Sequence, residues 1–109
     1  MLTRSFLIAV ALASMAAAPA LAADAKAGRA LAAQKCQTCH GLDGIARMPI
    51  APHLAGESQI YLQVQMKAFR SGKRENEMMT VVAKSLTDEQ ISDLAAWYSA
   101  IKISAEMPE

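Results

Sequence analysis

Cys36-Gln37-Thr38-Cys39-His40 constrains this chain more than any other stretch. In C-x-x-C-H spacing two thiols stand about one helical turn apart and face the same way, with an imidazole directly after them. That arrangement suits covalent capture of a haem through its vinyl groups, His40 reaching the iron. Three other chemistries use the same residues. A thioredoxin-like redox pair wants a βαβ pattern around it, which this alanine-rich sequence does not supply. A structural zinc site could draw on Cys36, Cys39, His40 and His53, but the second pair lacks the usual H-x-x-x-H separation. A disulfide between cysteines three apart would close a tiny loop, stabilise little and leave His40 without a role.

The first residues read as a secretory signal. Arg4 gives a positive start, Phe6 to Leu12 an apolar run, and Ala20-Leu21-Ala22 a small-x-small cleavage site. Residues 1–22 are therefore expected to be removed, leaving residues 23–109 as one domain in a bacterial periplasm. Alanine, Ser14 and Pro19 make the leader a poor spanning helix, and no stable membrane insertion is expected. A domain of this size is near the lower limit at which a core holds itself together, so a large flat apolar cofactor would act as an internal staple. Eleven Lys and Arg oppose ten Asp and Glu; losing Arg4 with the leader leaves the two signs equal. That balance argues against a nucleic-acid partner. Lys67, Arg70, Lys73 and Arg74 read as the solvated, cation-rich end of a helix, with docking of an acidic partner as the alternative.

Periodicity predicts an all-α chain of about four helices and loops, and the haem read from the motif is the body they would wrap around. A first helix runs from Asp24, its N-cap, to Lys35 and straight into the cysteine motif. Gly28 within it marks a crossing point, where Trp97 and Tyr98 could pack against Gly28 and Ala32. Glycines and prolines at 41, 44, 49, 52 and 56 predict an Ω-like loop. A helix over Glu57 to Arg70, closed by Ser71-Gly72, carries Tyr61, Val64 and Ala68, with Leu62, Met66 and Phe69 beside them, on a broad apolar face. Thr87 with Gln90 forms a capping box for the last helix, and Leu86 with Ile91 a hydrophobic staple.

With His40 on one side of an iron, the residue opposite decides between electron transfer and ligand chemistry. Met66 falls at core spacing and Met107 in the tail. Met48 and His53 follow the motif on the side from which His40 approaches. Met78 and Met79 remain, and spacing alone does not choose between them.

The motif, Pro52-His53-Leu54-Ala55-Gly56, Met79 through Leu86-Thr87-Asp88, and Leu94-Ala95-Ala96-Trp97-Tyr98 together resemble class I c-type cytochromes over Ala23 to Ile103. The likeness is to one haem domain of the small mono- and dihaem bacterial periplasmic cytochromes. It implies haem c attached through Cys36 and Cys39, and iron ligation by His40 and Met79, the methionine seven residues before Leu86. It also implies that the Pro52 carbonyl accepts a hydrogen bond from His40, which sets the ring's orientation and basicity. Gly28 and Tyr98 correspond to the family's helix-crossing residues. Family members often carry lysine where His53 stands.

The expected function is single-electron transfer between redox proteins met in small, transient encounters, without catalysis by this chain. The rivals are a cytochrome subunit held by a periplasmic dehydrogenase, and a haem enzyme or gas sensor with an open distal position.

Overall fold

The computed structural model describes residues 12–17 and 22–109. The expected leader, residues 1–22, lies mostly outside them. Among the described residues there are five helices and no strand: α1 Ala25–Lys35, α2 Gln37–His40, α3 Gln59–Ser71, α4 Glu77–Lys84 and α5 Asp88–Ala100. None is long and apolar enough to cross a membrane.

Local chemistry explains most boundaries. The Asp24 side chain accepts the N–H groups of Lys26 and Ala27 and starts α1. The helix does not run straight into the motif, as the sequence suggests. Cys36, at φ −120°, breaks it, and α2 restarts as a single turn that ends at Gly41. Nor does α3 begin at Glu57: Ser58 caps it, accepting from Tyr61 N–H, and Gly72 ends it in the left-handed conformation that a glycine adopts without strain. The segment before the last helix is itself a two-turn helix, α4, capped by Asn76. Thr87 and Gln90 exchange the reciprocal bonds of a capping box.

The core gathers Ala32 of α1, Leu62 of α3, Leu86, and Ile91, Leu94, Ala95 and Tyr98 of α5. Leu86 and Ile91 are both buried here, one on each side of the Thr87 cap. α1 and α5 make the tightest crossing, at Gly28: a Cβ there would sit 1.9 Å from the Asp93 carbonyl oxygen. Gly28 therefore admits the backbone of α5 rather than the rings of Trp97 and Tyr98.

The expected apolar face of α3 divides. Leu62, Met66 and Phe69 turn to the core. Tyr61 and Val64 remain 49 % and 54 % exposed. The basic cluster divides as well, and its arginines are structural. Arg70 donates to the Leu86 carbonyl at 3.0 Å and pairs with Asp88. Arg74 donates to Gln65 Oε1 and lies 4.5 Å over the Phe69 ring.

Candidate functional site

Three of the residues singled out by the sequence lie on one turn. Cys36 caps α2, and Cys39 and His40 end it. His40 is 7 % exposed, and its Nδ1 lies 2.9 Å from the Pro52 carbonyl oxygen. A carbonyl can only accept, so the proton resides on Nδ1 and Nε2 presents its lone pair. The loop after α2 folds back to deliver this contact. Arg47 N–H donates to the Cys39 carbonyl at 2.8 Å, and Leu54 N–H to the Gly44 carbonyl at 2.8 Å. Asp43 accepts from Ile45 N–H at 3.0 Å, and that bond, helped by Arg47, holds its carboxyl below the usual carboxylate range.

Both cysteines are free thiols. Burial pushes the Cys36 thiol up to about 11, against opposing effects of Tyr98 and Lys35. A thiol held neutral is the reverse of the acidified cysteine that a thioredoxin-like exchange needs. The Cys39 Sγ lies 3.3 Å from Met48 Sδ. No group of three or more His, Cys, Asp or Glu that could hold a metal ion occurs among the described residues. His53 is exposed and stays apart from the motif, its Nδ1 accepting from Ala46 N–H at 2.8 Å. The zinc alternative thus lacks its fourth ligand.

α4 carries the two candidate methionines. Asn76 Oδ1 accepts from both Met78 N–H and Met79 N–H at 3.0 Å, fixing the first turn on which they sit. Met78 is 59 % exposed, whereas Met79 is half-buried. The Asn-Glu step at 76–77 is an N-cap signal from which this helix could have been read.

Sequence reasoning missed what closes the site from behind. Tyr98 Oη donates to the Gly41 carbonyl at 3.0 Å, and Trp97 Nε1 to the Leu42 carbonyl at 2.9 Å. Consecutive residues of α5 thereby satisfy consecutive carbonyls just after the motif. Arg29 of α1 stands 5.7 Å over the Trp97 ring. Burial is the main cause that raises the Tyr98 phenol well above its ordinary value, with Cys36 beside it adding to the effect.

A donor set of one imidazole with its Nδ1 engaged, two free thiols and a half-buried thioether fits an iron porphyrin.

Known proteins agree. The family described as "Cytochrome C oxidase, cbb3-type, subunit III" matches residues 23–97. Cytochrome c-554(548) of Halomonas halodenitrificans is 46 % identical over 68 residues, covering 60 % of this chain and 82 % of that protein. Cytochrome c4 of Pseudomonas aeruginosa is 41 % identical over 88 residues, covering 81 % of this chain and 43 % of its relative. The crystal structure of reduced recombinant cytochrome c4 from Pseudomonas stutzeri superposes with a TM-score of 0.68 at 34 % identity, over 74 % of this chain and 47 % of that one. The chain therefore spans most of the shorter relative and about half of the cytochromes c4. The motif, the helical fold and these relationships place the chain in the class I c-type cytochromes, with the cytochrome c fold.

Proposed function

We propose that this chain is an exported single-electron carrier, with one haem c joined to Cys36 and Cys39 and its iron held between His40 Nε2 and the Met79 thioether. The observation that carries the reading is the His40–Pro52 contact. It commits the imidazole proton to Nδ1, so the nitrogen left for a metal is Nε2 on a buried ring that directly follows two free thiols.

When bound, haem supplies a reversible one-electron couple at its iron. The protein's own groups set the terms of that couple. The Pro52 carbonyl draws on the Nδ1 proton, which makes Nε2 a stronger donor and fixes the ring plane. The thioether of Met79 is a soft ligand that favours the reduced metal. Were His40 and Met79 both to hold the iron, it would keep no position for a substrate, and partners would be met through the protein surface. Export follows from the leader: residues 1–22 are cleaved and residues 23–109 act in the periplasm, exchanging electrons with redox proteins.

The test is an optical spectrum of the purified mature protein in both oxidation states, with carbon monoxide added to the reduced form. A c-type spectrum with a sulfur-to-iron band and no response to carbon monoxide is expected. A ready response would mean an open iron and a ligand-binding role, and absence of haem would overturn the assignment. Retention of a larger partner through purification would replace free shuttling with a dehydrogenase subunit.

A further inference from the structure

The start of α1 lies against α5. Asp24 N–H donates to Asp93 Oδ1 at 2.8 Å, between residues 69 apart in sequence. Asp93 is 8 % exposed, an uncommon place for a carboxylate. Its position is enforced by Gly28, which lets the α5 backbone come so near that a Cβ would meet the Asp93 carbonyl oxygen at 1.9 Å. The Asp24 carboxylate is already engaged with the N–H groups of Lys26 and Ala27. Asp93 is thus the acid held over the point where the chain enters α1.

The geometry points to Asp93 as the receptor for the α-ammonium group created when the leader is cut before Ala23. This inference rests on the processing reading above and adds a function for the new terminus. Hydrolysis of the Ala22–Ala23 peptide bond by one water leaves a carboxylate on Ala22 and an ammonium on Ala23. Successive backbone nitrogens are about 3 to 4 Å apart, which places that ammonium within about 7 Å of Asp93 Oδ1. Before cleavage the same nitrogen is a neutral amide. Among the described residues no cation pairs with Asp93, so this mostly buried carboxylate gains an opposite charge on maturation, and leader removal tightens the crossing of α1 with α5.

Other charges surround the pair. α1 contributes Asp24, Lys26 and Arg29, and α5 contributes Asp88 and Glu89. α3, packed against α5, contributes Lys67 and Arg70, of which Arg70 is paired with Asp88. The positive end of α1 acts against an ammonium, so a mere helix terminus would lower its pKa. Attraction to Asp93 raises it instead. The ensuing stability is present in full below the ordinary α-amino value of about 7.7 to 8.0 and is lost as pH rises through the elevated folded value.

The experiment uses the mature haem-loaded protein, with the mass of its first peptide fixing the terminus. The α-amine is then dimethylated with carbon-13 formaldehyde, a borane–amine complex supplying the hydride that reduces each imine, and titrated by NMR. An upward shift of about half a pH unit or more relative to Asp93→Asn, which keeps an acceptor for Asp24 N–H, is the expected result. Equal values in the two proteins overturn the inference while leaving the processing reading intact. A first residue other than Ala23 overturns both. Should Asp93→Asn fail to fold, protein acetylated at Ala23 serves as the comparison. Its melting temperature falls below that of the free amine at pH 6, and the gap closes at pH 10. A gap that is absent at pH 6, or unchanged between the two, overturns the inference.

Discussion

His40 Nδ1 and the Pro52 carbonyl oxygen stand 2.9 Å apart, although the two residues are 12 positions apart in sequence. Proline suits this position because its fixed φ steadies the direction of the carbonyl that follows. Pro52→Ala keeps the carbonyl but frees the unfolded chain, so a stability loss of about 0.4–1 kcal/mol is expected. It should appear as a lower denaturant midpoint at unchanged slope, with a histidine-ligated spectrum retained. Loss of that spectrum would show that the ring depends on the proline ring itself.

Gly28→Ala tests the helix crossing. Propensity favours alanine by about 1 kcal/mol in a helix interior. The added Cβ, however, would lie 1.9 Å from the Asp93 carbonyl oxygen and 2.5 Å from its carbon. Backbone cannot swing aside as a side chain does, so α1 and α5 must separate. A net destabilisation of about 1–3 kcal/mol is expected in thermal or denaturant melts; a neutral or stabilised variant would refute the close contact.

Tyr98→Phe removes the donor from the buried Gly41 carbonyl and should cost about 1–3 kcal/mol. The pH profile gives a second readout. Burial chiefly holds the folded phenol well above its usual value, while the unfolded chain ionises near pH 10. The wild-type stability is therefore unaffected by this group below about pH 10 and falls above it, as the unfolded state gains the freedom to lose a proton. The phenylalanine variant lacks that decline. Denaturant midpoints of the two proteins should draw together as pH rises through 10 to 12, and parallel curves would contradict the argument.

Met79→Ala and Met78→Ala should separate the two neighbours on α4. The half-buried Met79 is expected to carry the sulfur-to-iron band, and its loss should let carbon monoxide bind the reduced iron. Met78, 59 % exposed, should be replaceable with the band intact. The opposite outcome would move the ligand by one residue.

What could be read in the sequence followed from rules that act over a few residues. Asp24, Gly72 and the Thr87–Gln90 box mark helix ends because each satisfies backbone groups within one turn of itself. The break at Cys36 escaped such rules, since nothing in Lys35-Cys36-Gln37 disfavours a continuous helix. α4 is announced by Asn76 alone, because eight residues are too few for apolar periodicity to mark a helix. Periodicity made α3 apolar on a broad face, yet it says nothing about what covers each part; Leu62 and Phe69 are buried, while Tyr61 and Val64 stay about half exposed. The contact of Cys39 with Met48 depends on how the intervening loop turns back, which no spacing encodes. Asp93 could not be distinguished from a surface acid without knowing that Gly28 crosses it.

The bonds from Trp97 and Tyr98 to the carbonyls of Leu42 and Gly41 span 55 and 57 residues. Synthesis from the N-terminus makes Cys36 and Cys39 before α5. Until α5 docks, only water can satisfy the Gly41 and Leu42 carbonyls. The last helix is thus the seal on the back of the motif, and the part of the chain made last is what closes the part made first.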